Sequence, residues 1–168
     1  MSTASKASSK PASKGAHTGG QDAIDLLVDD HKKVKKLFKE YEKLSKQDDI
    51  DGKVEVANQI CEELTIHTTV EEELFYPAAR EAIGDADMVN EAIVEHASAK
   101  DLIAQLREMD GDDEMYDAKV TVLCEYIHHH VDEEESEMFP KCRKAKMDLA
   151  DLGARIAERK EELMSETA

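Results

Sequence analysis

Four histidines and two glutamates stand at spacings that could gather them around metal ions. Each of the first four predicted helices carries one histidine within its apolar stripe, and two of these histidines are followed four residues later by a glutamate. Residues four apart on a helix differ by about 40° and one turn, so both members of a pair point into the bundle. One such histidine is ordinarily a hydrogen-bonded core residue, but buried carboxylates beside four of them need compensating cations. The candidate metal ligands are His31, His67, Glu71, His96, His130 and Glu134.

An internal repeat supports this set. The segments HTTVEEELFYP and HVDEEESEMFP both read His-x3-Glu-Glu-x3-aromatic-Pro, and DHKKVKKL and EHASAKDL both read acid-His-x3-Lys-x-Leu. Two similar helix pairs, each with two histidines and one glutamate, would surround one centre with twofold pseudosymmetry, which suits two bridged metals. Only His130 has the same offset from its proline as His67. His128, which forms a His-x3-acid pair with Asp132, remains an alternative.

A second glutamate follows each ligand glutamate in the repeat. Glu72 and Glu135 could contact the metal ligands or lie in solvent, and we expect them to be exposed. The acidic run at 133–137, apart from its ligand candidate, is interpreted as a solvated helix face.

The elements that must position these residues are helices. Apolar residues recur with helical periodicity and without strand-like alternation, which predicts helices at about 22–47, 53–83, 86–109, 112–147 and 149–165. Short connections make successive helices antiparallel neighbours. We therefore predict an all-α protein: an up-down-up-down four-helix bundle over 21–147 and a short fifth C-terminal helix at 148–168 that caps the bundle or carries a dimer contact. Residues 1–20, rich in Ser, Ala and Lys, are predicted to be a disordered tail.

The composition excludes several classes of function. The 168 residues include 39 acidic and 22 basic ones, and the net charge of −17 opposes binding to nucleic acid or anionic membranes. The sequence contains no apolar run long enough to span a bilayer. Three cysteines without a C-x-x-C pair disfavour a disulfide framework or a thiolate zinc site and indicate a reducing, cytoplasmic compartment; they are Cys61, Cys124 and Cys142.

The order and spacing of these motifs resemble the hemerythrin-like, or HHE cation-binding, domain. The resemblance covers about residues 22–147 and includes the prolines that follow FY and MF. It implies an up-down bundle around a non-haem di-iron centre, with the four histidines as terminal ligands and the two glutamates as bridges. Imidazole and carboxylate ligands without thiolate also suit manganese or zinc, which we consider less suitable than iron.

The sequence departs from the oxygen-carrying hemerythrins in one ligand. Those proteins have a fifth histidine four residues after the third, where this chain has Lys100, and their final ligand spacing is one residue longer than that from His130 to Glu134. One iron would then lack a protein ligand unless water, Glu or Tyr replaces it. More than one open coordination position suits reaction with oxygen, nitric oxide or peroxide, or the sensing of iron, better than reversible oxygen transport.

Three hypotheses follow. The first is a di-iron protein that binds or senses oxygen, nitric oxide, peroxide or iron, as a monomer or homodimer without nucleic-acid or membrane partners. The second is a di-iron enzyme that consumes peroxide or oxygen; the sequence shows no nucleotide loop or Ser/Cys-His nucleophile, so a binding role is preferred. The third is a metal-free acidic interaction module in which Lys35 and Lys100 pair with Glu71 and Glu134.

Overall fold

A computed structural model describes residues 20–167, and the predicted all-α class is confirmed. The helices are α1 (Ala23–Lys46), α2 (Ile50–Val70), α3 (Tyr76–Ile83), α4 (Ala86–Glu108), α5 (Tyr116–Glu133), α6 (Phe139–Lys144) and α7 (Leu149–Thr167). No strand occurs within this described part. The predicted disordered tail at 1–20 lies outside the described residues except for its last position.

Two continuous helices are interrupted by π-turns that the sequence analysis did not predict. The first π-turn, Glu71–Phe75, joins α2 to α3, and the second, Glu134–Met138, joins α5 to α6. Each π-turn is followed, after one aromatic residue, by a proline, Pro77 or Pro140. A proline lacks the N–H that a regular helix needs and clashes with the carbonyl four residues before it, so a widened turn lets the helix continue.

Two helices begin a few residues away from their predicted starts because of local side-chain hydrogen bonds. The second helix begins at Ile50 rather than 53, because the Asp49 carboxylate accepts a hydrogen bond from the N–H of Gly52 and caps the first turn. The fourth predicted helix, which is α5 in the structure, begins at Tyr116 rather than 112. The Asp113 carboxylate accepts a hydrogen bond from the N–H of Met115 and holds the residues before Tyr116 in a turn. Other predicted boundaries differ by a few residues at most.

The core consists of two apolar clusters separated by a band of polar residues. One cluster includes Phe38, Tyr41, Ile60 and Leu123 near the end of the bundle that holds the α1–α2 connection. The other cluster lies toward the opposite end; it includes Leu27, Phe75, Val89, Phe139 and Ile156. All six candidate ligands are buried in the band between the clusters. The bundle thus holds them where solvent does not compete.

The C-terminal helix α7 packs against α1 and α2 of its own chain and buries Leu152 and Ile156. Gly153 lies inside α7, where it faces the start of α1. A Cβ added there would lie 2.8 Å from the backbone nitrogen of Ala23, so glycine permits the close crossing of α7 over the start of α1. Within the described residues, the helices include none that is long and apolar enough to cross a membrane.

Candidate metal centre

The structure brings all six candidate ligands together. Each of the four histidines comes from a different long helix, and each glutamate is the first residue of a π-turn. None of the six residues is more than 5% exposed, and both glutamates are 2% exposed or less. Their ligand atoms form two clusters that share Glu71: one also contains His31, His67 and Glu134, and the other contains His96 and His130.

The carboxylates lie between the two histidine pairs. Nε2 of His31 lies 3.2 Å from Nε2 of His67, and Nε2 of His96 lies 3.1 Å from Nε2 of His130. Glu134 Oε1 is 3.4 Å from His31 Nε2 and 3.1 Å from His130 Nε2. Glu71 Oε1 contacts His67 Nε2 and lies 3.8 Å from His96 Nε2. Each carboxylate therefore approaches one histidine of each pair, as a bridging ligand must.

The outer nitrogen of every histidine faces a further carboxylate. Nδ1 of His67 is 2.9 Å from Asp30 Oδ2, and Nδ1 of His130 is 3.0 Å from Glu95 Oε1. The remaining two distances are 3.4 Å from His31 to Glu135 and 3.6 Å from His96 to Glu72. A carboxylate that accepts from Nδ1–H leaves the Nε2 lone pair directed at the centre and makes it a better metal ligand.

Two of the four carboxylates that face the Nδ1 atoms were expected to be exposed, and the other two were missed by the sequence analysis. Glu72 and Glu135 were expected to be exposed, but their side chains are only 26% and 33% exposed and face the histidines. Asp30 and Glu95 were not singled out. Their signal was present in the repeat, where each is the acid directly before a ligand histidine.

The buried charges shift several pKa values in the cation-free centre. Burial alone would lower the pKa of His67 and of His130, but the carboxylates around them raise these values to about 10 and about 11. Burial and the positive charge of His130 lower the pKa of His96 to about 2. Burial and the negative charge of Glu134 raise the pKa of Glu71 to about 8. The centre therefore holds protons where cations would bind.

Several buried polar atoms of the centre lack hydrogen bonds among the described residues, and bound metal ions would satisfy most of them. Both oxygens of Glu71, Oε1 of Glu134 and Nδ1 of His96 are fully buried and have no well-aligned hydrogen-bond partner in the described protein. Unsatisfied buried carboxylate oxygens are costly. The convergent Nε2 atoms and carboxylates are a donor set that fits divalent cations.

The alternative ligand and the alternative ion pairs that the sequence suggested do not lie in the centre. His128 is exposed, and so is His129. Lys100 pairs with Glu72 at 2.5 Å and is half-exposed, so the ion pairs proposed for a metal-free module, to Glu71 and Glu134, are wrong for this lysine. Lys35 forms no ion pair with residues 20–167.

Comparison with known proteins assigns the family. The profile of the Hemerythrin HHE cation binding domain matches residues 22–142. The chain belongs to this family. A solved structure of an HHE cation-binding domain-containing protein from Mycobacterium kansasii has the same fold, with a TM-score of 0.72, 24% identity, and coverage of 88% of this chain and 90% of that one.

Two relatives of this HHE domain differ from it in length. One is described as a DNA nickase from Nostoc sp. and is 32% identical over 133 residues, which cover 76% of this chain and 37% of the relative. The other is an uncharacterised hemerythrin-like protein from Schizosaccharomyces pombe, 26% identical over 118 residues that cover 69% of this chain and 57% of the relative. The chain thus spans between a third and three fifths of these proteins.

The two halves of the HHE domain, α1 to α3 and α4 to α6, present different aromatic residues to the centre. Each π-turn closes with a hydrogen bond from the fifth residue after the glutamate back to its carbonyl, which places Tyr76 above Glu71 and Phe139 above Glu134. The Tyr76 hydroxyl donates to Glu134 at 2.9 Å and lies 3.1 Å and 3.3 Å from Nε2 of His96 and His130. Phe139 stacks on His31, with ring centroids 6.0 Å apart. A phenol oxygen therefore adjoins only one histidine pair.

Proposed function

We propose that this HHE domain holds two non-haem iron ions and binds or senses a small ligand such as oxygen, nitric oxide or peroxide. The observation that carries the proposal is the orientation of the four histidines. Every Nδ1 faces a carboxylate, and every Nε2 faces one of the two central glutamates. Among the described residues, Glu71 has no well-aligned hydrogen-bond partner. In the cation-free protein these buried oxygens can be balanced only by protons held within the centre, whereas two bridged cations would satisfy them directly.

Iron is favoured over the other candidates by the donor set. Two carboxylates bridging between helices are typical of di-iron and di-manganese bundles. Structural zinc sites are closed, tetrahedral and often contain cysteine, and the sites here contain imidazole, carboxylate and a phenol. We propose that the Tyr76 oxygen completes the ligands of the metal held by His96 and His130, in place of the fifth histidine of the oxygen carriers. The bound irons would supply redox chemistry and open coordination positions.

The space beside the histidines limits the size of the ligand. A cavity of about 10 Å³ adjoins all four imidazoles, and its remaining wall is largely apolar: Val34, Leu64, Ile127 and Val131. A cavity of this size holds about one water molecule. It suits a solvent molecule or a small diatomic ligand and is too small for larger substrates. Three free cysteines favour a reducing, cytoplasmic setting for such a protein.

An anaerobic Fe(II) titration followed by exposure to air tests the proposal. We expect two irons per chain and, after oxidation, visible absorption from an iron(III)–phenolate pair. A His67→Ala variant should bind less iron, whereas His128→Ala, which changes an exposed histidine, should bind as the unchanged protein does. One iron per chain, or none, would refute the di-iron centre.

A second candidate function is the consumption of peroxide. It is supported by an open cavity of about 180 Å³ that reaches His130 and Glu134 from the surface, which would admit peroxide to one metal. Peroxide consumption measured against iron-stripped protein distinguishes turnover from binding. Nicking of DNA is not proposed for this chain, since it spans 37% of the relative with that description and its charge of −17 opposes contact with phosphates.

A further inference from the structure

The two halves of the domain cover their outer carboxylates differently. Asp30 and Glu95 are equivalent in the repeat, and each contacts the second histidine of its own half through Nδ1. Asp30 is 7% exposed, because Lys160 of α7 lies over it and pairs with its second oxygen. The side chain of Glu95 is 24% exposed, and its second oxygen faces an exposed histidine, His129. The C-terminal helix thus closes one side of the centre and leaves the equivalent position on the other side accessible.

The accessible side contains a cavity that leads to the centre. Its volume is about 180 Å³, and its inner wall includes His130 and the buried Glu134. Glu134 is 2% exposed, and among the described residues its Oε1 has no well-aligned hydrogen-bond donor. A buried carboxylate at the inner end of a polar cavity attracts a cation. The cavity therefore leads from solvent to a residue that is expected to bind metal.

Two residues of the cavity lining, Glu95 and Glu133, form a second group of ligand type with the exposed His129, which lines an adjoining surface cleft. Nε2 of His129 lies 3.5 Å from Glu95 Oε2 and 3.2 Å from Glu133 Oε1. One ligand atom from each of the three lies within 4.8 Å of the others. Glu95 also accepts from Nδ1 of His130, so a single carboxylate joins this outer cluster to a ligand of the centre.

The charge around the cavity is strongly negative. Its lining contains seven carboxylates: Asp85, Asp87, Glu91, Glu95, Glu133, Glu134 and Glu137. Lys141 neutralises part of this charge at the rim, where it lies 3.0 Å from Asp85. A cleft lined by one sign of charge concentrates oppositely charged ions and accelerates their binding.

We propose that the outer cluster of Glu95, His129 and Glu133 is a transit site through which divalent metal ions load into the centre. This inference rests on the proposed function, because the centre must bind metal for a loading path to matter. The cation first exchanges part of its water shell for the exposed imidazole and carboxylates. It then passes along the cavity to Glu134 and His130. On the side covered by α7, Lys160 occupies the position that corresponds to the outer cluster.

The test compares loading rates at matched charge. Metal-free protein is mixed anaerobically with Co(II), and the visible absorption of the bound ion is followed by stopped flow; a strong chelator then extracts the ion. The His129→Ala/Glu133→Gln variant changes the outer cluster. The His128→Ala/Glu125→Gln variant removes the same side-chain types from exposed positions of the same helix and serves as the control.

A transit site changes rates and leaves the equilibrium intact. We expect the cluster variant to load and release Co(II) about tenfold more slowly, with unchanged final occupancy, while the control behaves as the unchanged protein does. Equal rates in the two variants would overturn the inference and leave the proposed function standing. Lower final occupancy in the cluster variant alone would overturn it too, by making the cluster a support of the centre. Failure of the unchanged protein to bind Co(II) and Fe(II) would instead refute the proposed function.

Discussion

Loading the centre with divalent metal should release about three protons per chain at pH 7. Three groups that contact the proposed metal positions hold a proton at this pH without metal, because the pKa is about 10 for His67, about 11 for His130 and about 8 for Glu71. A metal ion requires the Nε2 lone pair of each histidine and the ionised carboxylate, so it displaces all three protons. His96, whose pKa is lowered to about 2, contributes none.

The number of protons sets the pH dependence of binding. Each displaced proton changes the apparent binding constant about tenfold per pH unit below the pKa of its group. The combined constant for two metals should therefore rise about a thousandfold per pH unit near pH 7. It should rise less steeply above about pH 8, where Glu71 is already ionised. Acidification should release the metal over the corresponding range.

Calorimetry in buffers of different ionisation enthalpy measures this number, since the observed heat varies linearly with that enthalpy and the slope equals the number of protons transferred to the buffer. Fe(II) under anaerobic conditions is the titrant. A Tyr76→Phe variant separates any proton lost by the phenol from the other three. Release of no protons would mean that the centre is already deprotonated before metal arrives, which would refute the protonation of His67, His130 and Glu71 in the cation-free protein.

Four further outcomes are expected. Glu71→Gln should abolish most metal binding, whereas its neighbour Glu72→Gln should retain most of it, as metal analysis would show. Chelation should lower the melting temperature by about 10 °C, measured by calorimetry, because two metal ions that bind only the folded state are removed. Tyr76→Phe should remove the iron(III)–phenolate absorption without loss of iron. Lys100→His should leave autoxidation in air unchanged by stopped flow, since the half-exposed Lys100 pairs with Glu72 on the outer, Nδ1 side of His96 and not on the Nε2 side that faces the centre.

The helical class and the convergence of six polar residues could be predicted because both depend on spacing along a helix. Histidine and glutamate four residues apart share a face whatever the tertiary structure, and the repeat selected His130 from its neighbours. The Nδ1 carboxylates could not be predicted this way, since Asp30 reaches a histidine on a different helix. The π-turns were missed because a five-residue turn barely alters apolar periodicity, although helices that continue through Pro77 and Pro140 were a signal.

The cross-connections of the outer carboxylates bear on how the protein unfolds. Asp30 and Glu95 each orient a histidine of their own half, but Glu72 and Glu135 orient histidines of the opposite half. Glu71 and Glu134 also approach histidines from both halves. A partly unfolded state that keeps only one helical hairpin therefore retains neither complete cluster nor its cation affinity. Bound metal stabilises the whole bundle relative to such intermediates, so it should couple the two hairpins into one cooperative unit and suppress their separate opening in hydrogen exchange.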